Sequence, residues 1–371
     1  MTLNVPAIPA GEALAALDAG WRAQASGGLT ASWMLHGRPG IGKTEIVQTL
    51  ARRIGARLFD LRLTAIEPAD LRGLPYYDHE AKRTVWYRPE DLPDDPSTPA
   101  ILFLDELTAA PPSLQPVVYG LLQARRVGLH ALPPSVMVVA AGNTVEDGAV
   151  AYEMGTALSD RLIHLHVRAA AADWIDGYAV PARLDPAVIA LIRSRPDLLE
   201  TTEAALERGE TVAATPRSWE RASRIAAAIP DRDLRLTLIA GVVGEAAAAE
   251  YARVADDLAA TLDVGRLLDA PSQADRWDLY PPGLTGLHGL VYALAARLDA
   301  NTAPAAIEIL AGVEDLPRRR PDEGFDRLPL GELATLGFET LAQRALDLDL
   351  ADAFLASPVY RRWDEGREAA E

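Results

Sequence analysis

The 371 residues predict an α/β domain built on a parallel sheet, followed by an all-helical remainder. Three observations carry that prediction. Short, nearly all-apolar runs alternate with helical stretches through the first 168 residues, as strands covered on both faces should. A glycine-rich loop stands between the first of these runs and a helix. Past residue 169 the strand signal gives way to Ala-, Leu- and Arg-rich text at helical spacing.

Taken in order, strands are predicted over residues 32–37, 57–64, 100–107, 135–142 and 162–167, which gives a five-stranded parallel sheet over 1–168. The clearest helices of the second half are 218–228, 234–262, 286–298 and 333–346. Breaks at Pro271, Pro281, Pro282, Pro317 and Pro321 divide that half, so a helical segment over 169–265 and a further helical region over 266–371 are expected. Residues 318–328 are charged and flanked by proline, the pattern of a solvated loop; Arg318, Arg319 and Arg320 could alternatively form a partner patch.

Composition narrows the function classes. With 49% hydrophobic and 24% charged residues the chain has the apolar surface a folded protein needs. A formal net charge of −17 disfavours general adhesion to nucleic acid or to anionic membranes, while leaving room for a local basic path. The absence of cysteine excludes disulfides, thiolate metal sites and thiol catalysis. The first residues have neither a basic flank nor an apolar core of a leader, and no run reaches about 18 apolar residues. A cytoplasmic protein with no membrane partner is therefore expected.

Three polar endings carry the chemistry. Gly37-Arg38-Pro39-Gly40-Ile41-Gly42-Lys43-Thr44 fits the pattern G-x-x-x-x-G-K-[ST] between an apolar strand and a helix. Its glycines let backbone N–H groups face a phosphate, Lys43 would reach the β/γ-phosphates and Thr44 would hold Mg²⁺. The run Ile101-Leu102-Phe103-Leu104 ends in Asp105 and Glu106. Beside a phosphate loop, Asp105 would orient Mg²⁺ through its water shell and Glu106 would polarise an attacking water; alone, the pair would read equally well as helix-capping acids. A third strand, Val136-Met137-Val138-Val139-Ala140-Ala141-Gly142, ends in Asn143, which could position that water or simply form a turn.

This constellation resembles the AAA+ ATPases, and within them the MoxR-like branch and its dynein-related relatives, over roughly residues 30–260. Asp70-Leu71-Arg72-Gly73-Leu74-Pro75 and Thr84-Val85-Trp86-Tyr87 are similar to the segment such proteins insert before the Asp-Glu strand, which commonly lines the ring face or pore. The resemblance implies ATP and Mg²⁺ as ligands and a first sensor at Asn143. It also implies an arginine finger acting in trans at Arg161, in Ser159-Asp160-Arg161-Leu162, with Arg125 and Arg126 as rivals and a surface salt bridge as the plain alternative. A second sensor at Arg217, in Thr215-Pro216-Arg217-Ser218-Trp219, would sit on a helical lid, and Ala240-Gly241-Val242-Val243-Gly244-Glu245 is similar to another lid segment. By the same resemblance the protein would form a ring, hexameric by family habit, and remodel a protein partner, possibly one with a von Willebrand factor A domain. A nucleotide-gated scaffold with little turnover, or a nucleic-acid motor, are the competing classes.

Two further features are read conservatively. His164 and His166 alternate on one strand and share a face, but no third ligand matches them, so a metal site is not expected. Trp174, Trp219 and Trp277 are read as packing between helices.

Overall fold

The computed structural model describes residues 3–143 and 159–368 and separates into two compact units, Met1–Ala169 and Ala170–Glu371. In the first unit, strands β1 (Ala7–Ile8), β2 (Ser32–His36), β3 (Arg57–Arg62), β6 (Ala100–Asp105), β9 (Val136–Gly142) and β10 (Leu162–Val167) form one sheet in the order β1-β10-β2-β9-β6-β3. Every pairing in it is parallel. The sheet thus has six strands rather than the five predicted. The sixth, Ala7–Ile8, has two residues between Pro6 and Pro9, too short a run for a period-2 pattern.

Side chains of the central strands alternate between two buried layers. Leu35, Ile101, Phe103 and Val139 pack with Ile46, Val47 and Leu50 of helix α2 (Lys43–Ile54) and with Leu17 of helix α1 (Ala10–Ala25). On the other face Met34, Leu102, Leu104, Val138 and Ala140 pack with Val118 and Leu121 of helix α4 (Gln115–Ala124). After β2 the chain runs to the far edge at β3, returns through β6 and β9, and crosses to β10 on the other side of β2. That reversal places a crevice at the C-terminal ends of β2 and its neighbours, where α/β sheets bind ligands.

Between β3 and β6 lie helix α3 (Pro68–Arg72) and an antiparallel hairpin, β4 (Pro75–Asp78) with β5 (Arg83–Trp86). The Arg72 guanidinium sits 4.3 Å from the Trp86 ring centre. At Gly73, with φ of 81°, any Cβ would overlap the Tyr87 carbonyl oxygen, so the root of the hairpin accepts only glycine. A second small hairpin joins β7 (Arg126–Val127) to β8 (His130–Ala131).

The second unit is helical. The helix predicted over 234–262 is two helices, Arg232–Val243 and Glu245–Thr261, because Gly244 between them takes φ of 87°. Helices Pro186–Ser194, Glu245–Thr261, Gly283–Ala296 and Leu330–Asp347 pack on one another across residue 265. Trp219 is fully buried and its indole N–H donates to the Leu198 carbonyl at 2.7 Å.

Residues 318–328 are largely exposed, as expected of a solvated segment, but the segment is anchored at Arg320 and Phe325. Arg320 donates to the carbonyls of Trp277 and Tyr280 at 3.2 and 2.6 Å and pairs with Glu323, while Phe325 is buried beneath it. A guanidinium has five donors, enough to bind backbone and carboxylate at once, so charge here serves packing. Among the described residues no helix is long and apolar enough to cross a membrane.

Phe103 is fully enclosed in the central strand β6. Phe103→Ala should cost about 3–5 kcal/mol and lower the urea midpoint of unfolding followed by circular dichroism; an unchanged midpoint would show that the sheet core does not limit stability.

Candidate functional site

The loop 37–42 is shaped by its glycines. Gly37, Gly40 and Gly42 have φ of 149°, 81° and 103°. A Cβ at Gly37 would overlap Ile41 and stand 2.5 Å from the Val167 carbonyl oxygen, so the loop lies hard against the end of β10. Gly42 then opens α2, whose first-turn N–H groups face the crevice with the positive end of the helix dipole. Lys43, only 9% exposed, donates its ammonium protons to Gly37 O, to Arg38 O at 3.0 Å and to Asn143 Oδ1 at 2.9 Å. Asn143 is held in turn by its own N–H, which donates to Thr108 Oγ1 at 3.0 Å.

Asp105 ends β6 at 8% exposure. Its Oδ1 accepts from the Glu106 N–H at 2.9 Å, and its Oδ2 lies 3.4 Å from the Thr44 hydroxyl. A hydroxyl and a carboxylate so placed are the hard oxygen donors a Mg²⁺ ion takes, so the residues present fit that cofactor. Glu106 adopts a left-handed φ of 59°, which turns it away from the strand direction, and its Oε2 accepts from Thr64 Oγ1. Arg62 approaches both acids, at 4.0 Å from Asp105 and 3.8 Å from Glu106, but with its side chain 63% exposed the attraction is largely screened.

The structure therefore brings Lys43, Thr44, Asp105, Glu106 and Asn143 together on one rim of the sheet. Arg161 is exposed in the turn that leads into β10. Arg125 caps α4 with φ of 52° and donates to the carbonyls of Val136 and Pro133, and its burial pushes its pKa down. Arg126 donates to Gly128 O within its own hairpin. Arg217 belongs to the second unit, in the first turn of helix Pro216–Ala228, where the Thr215 side chain accepts from the Ser218 N–H at 3.2 Å.

Four residues of the site escape sequence reasoning: Thr64, Thr108, Arg62 and His36. The first three reach the acids or Asn143 only because β3 and the turn after β6 lie beside them, which residue spacing does not encode. His36 had a visible signal, since it ends the buried strand β2 and directly precedes Gly37. Its Nε2 lies 2.7 Å from Nδ1 of His164, with the rings stacked at 5.0 Å. His164 thus has a protein partner in His36.

Burial first, then the charges of His164, His166 and Lys43, drop the His36 pKa to about 3. In the unfolded chain the ring takes a proton near 6.5. The unfolded state therefore binds more protons between those values, and His36 withdraws stability as pH falls from about 6.5 towards 3, by up to about 1.4 kcal/mol per pH unit. His36→Gln should flatten that part of the stability profile relative to wild type; parallel profiles would mean that His36 titrates normally in the fold.

Residues 32–162 match the family model described as "AAA domain (dynein-related subfamily)". The chain is 36% identical over 115 residues to ATPase family gene 2 protein homolog B of Mus musculus, covering 31% of this chain and 13% of that protein. It is 27% identical over 135 residues to Chaperone MoxR1 of Mycobacterium tuberculosis, covering 35% of this chain and 34% of that one. The matched region thus spans about a third or less of these relatives' length. Among solved structures, the Thermotoga maritima RuvB Holliday junction branch migration motor overlaps 81% of this chain and 86% of its own, at 15% identity and a TM-score of 0.32. NtrX from Brucella abortus overlaps 91% and 69%, at 15% identity and 0.33. Residues 32–162 thus match an AAA domain of the dynein-related subfamily, and the parallel sheet with its phosphate loop is the α/β arrangement such a domain requires.

Proposed function

We propose that the protein hydrolyses ATP with Mg²⁺ as cofactor, in a cytoplasmic ring of its own copies, hexameric by family habit, and uses the cycle to remodel a protein partner. A partner carrying a von Willebrand factor A domain fits the resemblance to MoxR-like proteins. The observation that carries the reading is the convergence of Lys43, Thr44, Asp105, Glu106 and Asn143 at the C-terminal ends of β2, β6 and β9. In this reading residues 1–168 are the catalytic core, 169–265 the lid and 266–371 the extension that gives specificity.

Each side chain then has a task. The loop N–H groups of 37–42 and the Lys43 ammonium hold the β/γ-phosphates, with phosphate oxygens competing for the protons that Gly37 O, Arg38 O and Asn143 accept. Thr44, and Asp105 through a water shell, would hold Mg²⁺, which would supply charge neutralisation for the phosphates. Glu106 takes a proton from the attacking water, which Asn143 steadies from the opposite side. By the resemblance, Arg217 would serve as the second sensor.

Arg161 is the best of the candidate fingers. Arg125 is committed to backbone carbonyls of its own subunit and Arg126 to its hairpin, while the resemblance puts the finger at Arg161, in the turn before β10. A finger supplied to the neighbouring copy makes hydrolysis depend on assembly. Leu74, Tyr76, Tyr77 and Tyr87 of the β4–β5 hairpin are exposed, and such an aromatic surface suits contact with a partner protein. Retention of an acid at Glu106, tied to Thr64, favours hydrolysis over a gated scaffold.

Solution mass measured with and without Mg²⁺-ATP, beside phosphate release from the same samples, tests the reading. A nucleotide-dependent ring with turnover supports it; a silent monomer at all nucleotide concentrations sinks it.

Lys43→Ala should weaken ATP binding at least ~10-fold, since a charge-assisted bond contributes about 1.5–3 kcal/mol. Glu106→Gln should bind ATP normally and lose about 100- to 10,000-fold in kcat. Normal affinity in the first, or near-normal turnover in the second, would remove that residue from its role. Arg161→Ala should be inactive alone and partly recover when mixed with inactive Glu106→Gln, because the wild-type finger of one serves the intact site of the other. Absence of recovery at every mixing ratio would exclude a finger in trans.

A further inference from the structure

The polar line that leaves the phosphate loop along the sheet has no task in the reading above. His36, 5% exposed, is the last residue of β2 and is joined by one peptide bond to Gly37, whose carbonyl accepts from Lys43. Its Nε2 lies 2.7 Å from His164 Nδ1, and His164 Nε2 lies 2.9 Å from the Ser159 carbonyl and 3.1 Å from the Ser159 hydroxyl.

The proton positions follow from the acceptor at the end of the line. A carbonyl oxygen only accepts, so His164 Nε2 carries the hydrogen that it donates to Ser159 O. In a neutral ring that leaves Nδ1 as the acceptor, and His36 Nε2–H donates to it. Both bonds thus point the same way, from the loop to Ser159. For His36 itself, burial, then His164, His166 directly across the ladder, and Lys43 all oppose a positive charge.

Ser159 stands two residues before Arg161, directly ahead of the turn that feeds β10. The other end of β10 is also pinned to the loop, because a Cβ at Gly37 would stand only 2.5 Å from the Val167 carbonyl oxygen. The backbone around His36 and Gly37 therefore cannot shift without acting on β10 at both places.

We infer that His36, His164 and Ser159 form a positioning relay that ties the phosphate loop to the turn bearing Arg161, so that a subunit's own nucleotide site sets how its Arg161 is presented to the next copy. The inference rests on the reading of Arg161 as a finger in trans. His36 and His164 are positioning residues, since the partners they hold are each other and Ser159.

The test separates finger presentation from damage to the subunit's own site. His164→Leu removes both bonds, and His36→Leu removes only the first. Each should bind a fluorescent ATP analogue within about twofold of wild type, yet lose at least ~5-fold in kcat, the lower end of typical coupling between sites. His36→Gln, whose amide can still donate to His164 Nδ1, should restore kcat. The deciding readout is complementation: either leucine variant should regain turnover when mixed with Glu106→Gln, as Arg161→Ala does, because the partner's Arg161 is correctly held. Wild-type kcat in folded His36→Leu, a loss of ATP binding matching the loss of kcat, or a loss that Glu106→Gln cannot complement would each overturn the relay. Should His164→Leu fail to fold, His36→Leu with its glutamine control decides alone. If Arg161→Ala itself is not complemented, the trans reading fails and the relay with it; if Arg161→Ala is complemented and the histidine variants are not, only the relay fails.

Discussion

The rest of the first unit depends on one buried cation. Lys43 is nearly enclosed, and an ammonium out of water needs acceptors for its protons. Two come from the loop that precedes it and the third from Asn143, one hundred residues further along the chain. For the loop carbonyls to turn inward, the backbone must take the left-handed conformations that Gly40 and Gly42 supply. For Asn143 to arrive, β9 must lie beside β2, which fixes the crossing of the chain to β10 and hence the crevice itself. The same ammonium contributes to keeping His36 neutral.

Strain is placed where two adjacent carboxylates must point differently. Asp105 stays in the strand and turns towards Thr44, whereas Glu106 leaves it with φ of 59°. A non-glycine residue in that region costs about 1–3 kcal/mol, and the surrounding bonds hold it there. The Glu106 N–H binds Asp105 and its carboxylate binds Thr64, so the two acids are separated by their backbone and by opposite partners. In the proposed mechanism that separation lets one acid serve the cation and the other the water.

What the sequence discloses is local, and what it hides is set by neighbours distant in the chain. The loop, the Asp-Glu pair and the strand ending in Asn143 are legible because a strand, its polar end and the next turn are contiguous. Thr64, Thr108 and His164's bond to His36 are not, since they depend on strand order and on which parity faces which layer. The two-residue strand at Ala7 is below the length at which alternation can be read. In the helical unit, continuous alanine and leucine spacing conceals the break at Gly244, because one glycine is tolerated in a helical pattern and only φ of 87° reveals the stop. Arg320 misleads in the opposite direction, as its charge suggests solvent while its donors are held by buried carbonyls.

The β4–β5 hairpin shows how the chain joins a rigid root to an exposed apolar surface. Its base is fixed by Arg72 stacked on Trp86 and by the close approach of Gly73 to the Tyr87 carbonyl. Leu74, Tyr76, Tyr77 and Tyr87 nevertheless face solvent, although burying a large aromatic is among the stronger sources of stability available to a chain. Apolar side chains held in place yet left outside are the composition of a contact surface: tyrosine offers large area with few rotatable bonds, so little entropy is lost on binding. On a chain with net charge −17 such a surface favours recognition through shape and aromatic area over attraction to a polyanion. That preference agrees with the proposed action on a protein partner, in which the insert would add a contact surface to the specificity proposed for residues 266–371.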